Sequence, residues 1–190
     1  MGFNTRLTSD MQKIIVKEMG FERSSNSVLT PGLKEAIPEQ DKPLNQHDST
    51  KYRALVARSN YLAQDRSDIQ FAVKELYRSM AFPTEHDMLK LKRLARYLVN
   101  KQRSVTTFKY QGKVERLSVW TDTDYAGCSK TRKSTSGGVA MHGARVLKTW
   151  SSTQSVIPLS SGEAEYYGLV KGSAVGLGIS SMFLDLGLNL

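Results

Sequence analysis

Two pairs of carboxylates stand out in a C-terminal half where acidic residues are few. Asp122 and Asp124 lie just past the apolar run Leu117-Ser118-Val119-Trp120, and Glu163 and Glu165 lie within SSGEAEYYGL. Acids at a strand end, facing acids in the first turn of a helix, repel one another if left bare. A divalent cation removes that repulsion, and hard oxygen ligands of this kind suit Mg²⁺ or Mn²⁺. Each acid also has an ordinary explanation: carboxylates near a helix N-terminus favour the helix dipole, and Asp is a common turn residue after a strand. Residue types and spacing leave both explanations open. The single Cys128 excludes an internal disulfide framework and a multi-cysteine zinc site, and it fits an intracellular, reducing compartment better than a secreted one. His47, His86 and His142 have no ligand spacing and read as solvent-facing or capping residues. Trp120 and Trp150 read as core or interface aromatics rather than base-stacking platforms.

The elements that must position these residues fall into three stretches. Residues 1–47 hold a short amphipathic piece, MQKIIVKEMGF, and then a run with Pro31, Pro38 and Pro43 and little periodicity, which predicts an extended linker. Residues 48–103 are helical in pattern. Asp48 or Ser49 can cap a first helix carrying Tyr52, Leu55, Val56, Ser59 and Leu62 on one face. A second helix is expected over 67–80, and a third after Thr84, with Asp87 three residues on as in a capping box. The third helix turns Met88, Leu91, Leu94, Ala95 and Leu98 inward and leaves Lys90, Lys92, Arg93, Arg96 and Lys101 outside. That basic surface is either a solvated face or a phosphate contact.

Residues 104–190 change period. Strands are expected at 106–110, 116–121, 136–141 and 146–150, the last two turning at His142-Gly143-Ala144, with a helix from Ser160 or Ser161 to about Leu184. Strands followed by a helix indicate a mixed α/β fold. Gly168, Gly172 and Gly176 recur every four residues along that helix, as close packing against a sheet requires. No apolar run approaches about 18 residues, which argues against a membrane-spanning segment, and MGFNTRLTSDMQ lacks the apolar run of a secretory signal. The net charge of +9 is spread along the chain rather than gathered in a tail, which suits a polyanionic partner without requiring one.

The segment from Thr121 to Leu169 resembles the ribonuclease H domain of copia-type retrotransposon polyproteins. The resemblance rests on four ordered blocks: Thr121–Gly127 (TDTDYAG), Lys133–Gly137 (KSTSG), Trp150–Gln154 (WSSTQ) and Ser160–Tyr166 (SSGEAEY). Residues 51–98 look like the segment that joins reverse transcriptase to that domain, with Arg66-Ser67-Asp68-Ile69 where the family usually has Arg-Pro-Asp-Ile. Residues 1–47 look like the end of the reverse transcriptase thumb. The resemblance implies an α/β, ribonuclease H-like mixed sheet, truncated after its first helix and preceded by a small helical connection segment. It implies Asp122 and Glu165 as catalytic and metal-binding carboxylates, Mg²⁺ (or Mn²⁺) as cofactor, and hydrolysis of the RNA strand of an RNA–DNA hybrid by two metal ions. Asp124 and Glu163 are typical neighbours rather than ligands, and Arg132 and Lys133 are placed to grip hybrid phosphates. The family also uses a third and a fourth carboxylate beyond the first helix, so the 190 residues supply two of four ligands. The expectation is therefore a partial domain whose metal binding is weakened or lost and which is inactive alone. Its partners would be a hybrid and the rest of a Pol polyprotein, with no membrane and no disulfide partner. A noncatalytic nucleic-acid-binding or assembly module is the alternative.

Overall fold

A computed structural model describes residues 5–22, 26–33, 38, 40–108, 110–128 and 130–188, with side chains from Asp10 onward. The chain divides into two compact units, 1–105 and 106–190.

The first unit is helical: α1 (Thr5–Glu18), α2 (Gln46–Leu62), α3 (Gln70–Tyr77) following a 3-10 turn at Ser67–Ile69, and α4 (Glu85–Asn100). Helix α2 begins earlier than expected. Asn45 is its cap, accepting from the Asp48 N–H at 2.8 Å, while its own amide donates to the Asp48 carboxylate at 2.8 Å. Asp48 and Ser49 therefore lie inside the first turn. The apolar face is as expected: Tyr52, Leu55, Val56, Ser59 and Leu62 are buried, and the Tyr52 hydroxyl donates to the Leu76 carbonyl at 2.7 Å. Thr84 and Asp87 form the capping box that starts α4, which buries Leu91, Leu94, Ala95 and Leu98 and leaves Met88 partly buried. His86, expected in solvent or at a cap, is buried instead.

The described residues between 5 and 47 do not stand apart as a linker. Ile15 of α1 is fully buried among the α2 and α4 side chains, and Gln12 donates to the Leu98 carbonyl at 2.6 Å and accepts from Arg66 at 3.2 Å. The proline-containing run is also tied down where it is described. Arg93 donates to Thr30 Oγ1 at 2.7 Å and Arg96 to the Asn26 carbonyl at 2.9 Å. Part of the basic surface of α4 thus serves intramolecular packing, which a periodicity reading along one helix cannot detect.

The second unit is a three-stranded antiparallel sheet in the order β1 (Leu117–Asp124), β2 (Thr135–His142), β3 (Arg145–Thr153), followed by α5 (Ser161–Asp185). The register pairs Trp120 with Val139 and Asp122 with Gly137. The strand expected at 106–110 does not form among its described residues; Lys109 lies outside them. Gln111 instead braces the β2–β3 turn, donating to the His142 carbonyl at 3.0 Å and accepting from the Ala144 N–H at 2.9 Å. Gly143 makes that turn with φ +60, a conformation that favours glycine.

Helix α5 lies against β1 through its glycines. A Cβ on Gly168 would meet Thr123 Oγ1 at 2.6 Å, and one on Gly172 would meet Thr121 Cγ2 at 2.4 Å. Opposite that stripe the helix is bare, with Tyr166, Leu169, Val170, Leu177 and Met182 exposed. By length and composition α5 is apolar enough to cross a membrane, contrary to the expectation that no segment reaches that standard. The difference arises because Leu, Val, Ile, Met and Phe recur from Leu169 to Leu184 with Lys171 as the one charged residue among them, although no unbroken apolar run forms. The glycine side of the helix is occupied by the sheet. Among the described residues of this unit, Ala140 and Ala164 are the fully buried apolar side chains, so the unit has very little hydrophobic core.

Candidate functional site

Alternation along β1 decides where its acids go. Val119, Thr121 and Thr123 approach the α5 glycines, so Trp120 and Asp122 project from the opposite face of the sheet. Trp120 is 66% exposed there, with nothing laid over it; it is not a core aromatic. Trp150, on β3, covers Gly138, where a Cβ would sit 2.0 Å from the indole ring.

Asp122 is exposed and paired with Gly137 through the backbone. Glu165 sits in the second turn of α5, about 100° around the helix from the fully buried Ala164, and is half-buried at the flank of the sheet-facing stripe. Neither carboxylate takes part in a hydrogen bond or ion pair. Their two neighbours differ. Ser160 caps α5 by accepting from the Glu163 N–H at 3.1 Å, and Glu163 accepts from the Leu159 N–H at 2.7 Å. Glu163 is thereby absorbed into the helix cap. Asp124 folds over Gly127 within its own loop. The two acids thus stand on adjoining elements, Asp122 on the sheet face turned from α5 and Glu165 on the helix. Among the described residues no group of three or more His, Cys, Asp or Glu is placed to hold a metal ion.

The β1–β2 loop presents Arg132 and Lys133. It is closed by the Arg132 N–H donating to the Cys128 carbonyl at 2.8 Å and the Cys128 N–H donating to the Lys133 carbonyl at 3.2 Å. Ala126 and Arg132 have φ 50 and 56, left-handed backbone that costs a non-glycine residue about 1 kcal/mol each. The Ala126 N–H donates to Ser134 Oγ at 2.9 Å, which holds the bend. Arg132 is exposed and Lys133 half-buried, and neither side chain is ion-paired.

The Trp150–Gln154 block locks sheet to helix. Gln154 donates to Ser136 Oγ at 2.8 Å and to the Ala164 carbonyl at 2.8 Å, and Lys171 donates to Ser152 Oγ. Burial, and secondarily the charge of Lys148, lowers the Lys171 pKa below the ordinary lysine value. Sequence reasoning gave neither lysine a role at the site, because their approach joins β3 to α5 across more than twenty residues. The signal within reach was that Ser152 and Gln154 fall inside one of the four blocks.

The chain is similar to two curated proteins of Arabidopsis thaliana named as retrovirus-related Pol polyproteins, from transposon RE1 (34% identical over 143 residues, 75% of this chain) and from transposon RE2 (33% over 143 residues, 75% of this chain). It is also 33% identical over 129 residues, 67% of this chain, to an uncharacterized mitochondrial protein of the same plant. The chain spans 10% of the length of each polyprotein and 52% of the mitochondrial protein. No protein-family model and no solved structure matches it. The chain is thus a homologue of a segment of retrotransposon Pol polyproteins.

Proposed function

We propose that this Pol-segment homologue is a partial ribonuclease H domain of the copia type, with its connection helices, and that these 190 residues do not cleave RNA by themselves. One observation carries the reading: of the four acids at the β1 end and the α5 start, Asp122 and Glu165 are the two left without intramolecular partners, and they are the two that the resemblance assigns to catalysis. Mg²⁺ or Mn²⁺ would supply Lewis-acid chemistry and an activated water in the ancestral reaction. Two carboxylates are too few for a metal pair, and no third ligand is grouped with them among the described residues. The residues present do not fit the two-metal centre, so its affinity is weakened or lost. Arg132 and Lys133, unpaired on the β1–β2 loop, are the phosphate-contacting residues of this unit.

A labelled RNA–DNA hybrid incubated with the soluble chain in Mg²⁺ or Mn²⁺, beside Asp122→Asn, tests the reading. The expected result is no cleavage from either protein. Cleavage that disappears in Asp122→Asn would refute the inactive state and require further ligands from outside these residues. The missing third ligand favours a second reading, a noncatalytic nucleic-acid-binding or assembly module. Salt-sensitive hybrid binding that survives in Asp122→Asn and Glu165→Gln but weakens in Arg132→Gln/Lys133→Gln would favour it.

A further inference from the structure

The two outer strands of the sheet differ in how their edges are guarded. On β3, Lys148 stands exposed in the middle of the strand, Arg145 begins it, and the register against β2 shifts at Ala140/Met141. Edge charges and bulges of this kind keep a sheet from pairing with another chain. On β1 these devices are missing: Leu117–Asp124 holds no proline, lysine or arginine, and it pairs with β2 along its whole length without a shift. Alternate residues of an antiparallel strand bond the neighbour, so the others turn their N–H and C=O groups outward. Among the described residues, no backbone group of residues 117–123 bonds anything beyond the β1–β2 ladder. Helix α5 leans the other way: its Ala164 carbonyl accepts from Gln154 and its Lys171 donates to Ser152, both on the β3 side.

The uncommitted charges along this edge are self-complementary. Arg116, one residue before β1, and Asp122 are both exposed, and neither side chain takes part in a hydrogen bond or ion pair. Being an even number of residues apart, they share the face turned from α5 with Ser118 and Trp120. When two such strands run antiparallel with Val119 opposite Val119, Arg116 of each copy lies opposite Asp122 of the other, and Leu117 opposite Thr121. Ser118 then faces Trp120, and the two Trp120 rings become diagonal neighbours, within reach of aromatic side chains. Centring the pair on Trp120 instead would set Arg116 against Asp124, which is already folded over Gly127. We propose that two copies of this chain pair antiparallel through β1, centred on Val119, so that Arg116 of each copy meets Asp122 of the other. The two three-stranded sheets thereby join into one. Both copies use the same edge, so the association closes at a dimer. It rests on the sheet alone and stands whether or not the unit is a ribonuclease H fragment.

The test is sedimentation velocity of the full chain over a concentration series. The wild-type chain should pass from monomer to dimer with no larger species. Arg116→Asp alone and Asp122→Arg alone should each weaken dimerisation about tenfold, because each sets like charges opposite one another at both symmetry-related positions. An equimolar mixture of the two variants should recover wild-type association, since both cross-strand pairs are then of opposite charge. Circular dichroism should be the same for every protein, because neither side chain holds an intramolecular hydrogen bond or ion pair. A chain that stays monomeric at every concentration overturns the proposal. So does association that neither charge variant weakens, or a pair of variants that remain apart when mixed. Association lost in Leu169→Ser/Leu177→Ser, two exposed leucines of α5, but kept in the charge variants would overturn β1 pairing in favour of the bare face of that helix.

Discussion

Replacing Gly172 by alanine isolates the close approach of α5 to the sheet. In an exposed helix, Gly→Ala stabilises by about 1 kcal/mol through backbone entropy. At Gly172 the new Cβ would lie 2.4 Å from Thr121 Cγ2 and 3.4 Å from Val119 Cγ1. Both neighbours are β-branched and stiff at χ1, and turning Thr121 exchanges its methyl for its hydroxyl without opening space. Helix and strand must therefore separate, and forced overpacking of this kind costs about 1–3 kcal/mol. The net effect is a destabilisation of roughly 0–2 kcal/mol once the helix-propensity gain is subtracted. Gly178→Ala is the internal reference, because a Cβ there meets nothing within 4 Å on the same helix; it should stabilise by about 1 kcal/mol. The difference between the two variants then equals the packing cost, since the propensity gain cancels. Both tryptophans, Trp120 and Trp150, lie in the α/β unit, so denaturant unfolding followed by their fluorescence reports that unit. Equal stabilisation by Gly172→Ala and Gly178→Ala would refute the close packing and with it the placement of Glu165 beside the sheet.

Asp122→Asn and Glu165→Gln should each leave the unfolding midpoint within about 0.5 kcal/mol of wild type, because both carboxylates lack intramolecular partners, whereas Glu163→Gln should be measurably less stable through its weakened cap. Thr84→Ala should cost the helical unit about 1 kcal/mol by opening the α4 capping box, read by circular dichroism during urea unfolding. Burial raises the Asp68 carboxyl pKa, but hydrogen bonds from Arg66 and Tyr97 and the Arg66 charge outweigh it and hold it below the ordinary value. The unfolded state therefore binds more protons near pH 4 than the folded state does, so stability rises with pH there and is lost as pH falls below about 4. Asp68→Asn should flatten that acid limb while lowering stability at neutral pH, as measured by thermal unfolding over a pH series.

Much of this protein is decided locally and is legible without tertiary structure. The inward face of α2, the Thr84–Asp87 box, the β2–β3 hairpin and the α5 glycine stripe follow from periodicity, capping chemistry and turn residues acting over a few positions. The four blocks also carry the homology, because their order and spacing survive in the linear chain. What the sequence alone left open are matters of partnership across long separations. The hydrogen bonds of Arg93 to Thr30 and of Arg96 to Asn26, across more than sixty residues, tie the described part of an expected linker to the helical unit. The bracing of the 142–144 turn by Gln111 replaced an expected strand. Among the four acids, only the fold separates Glu163, used by a helix cap, and Asp124, folded into its loop, from Asp122 and Glu165. The same holds for cations: Arg93 and Arg96 are identical in type to Arg116, and only the positions of Thr30 and Asn26 distinguish committed charges from uncommitted ones. Local free energies depend on neighbours in sequence and can be read there, whereas desolvation and ion pairing depend on neighbours in space, which only the folded chain supplies.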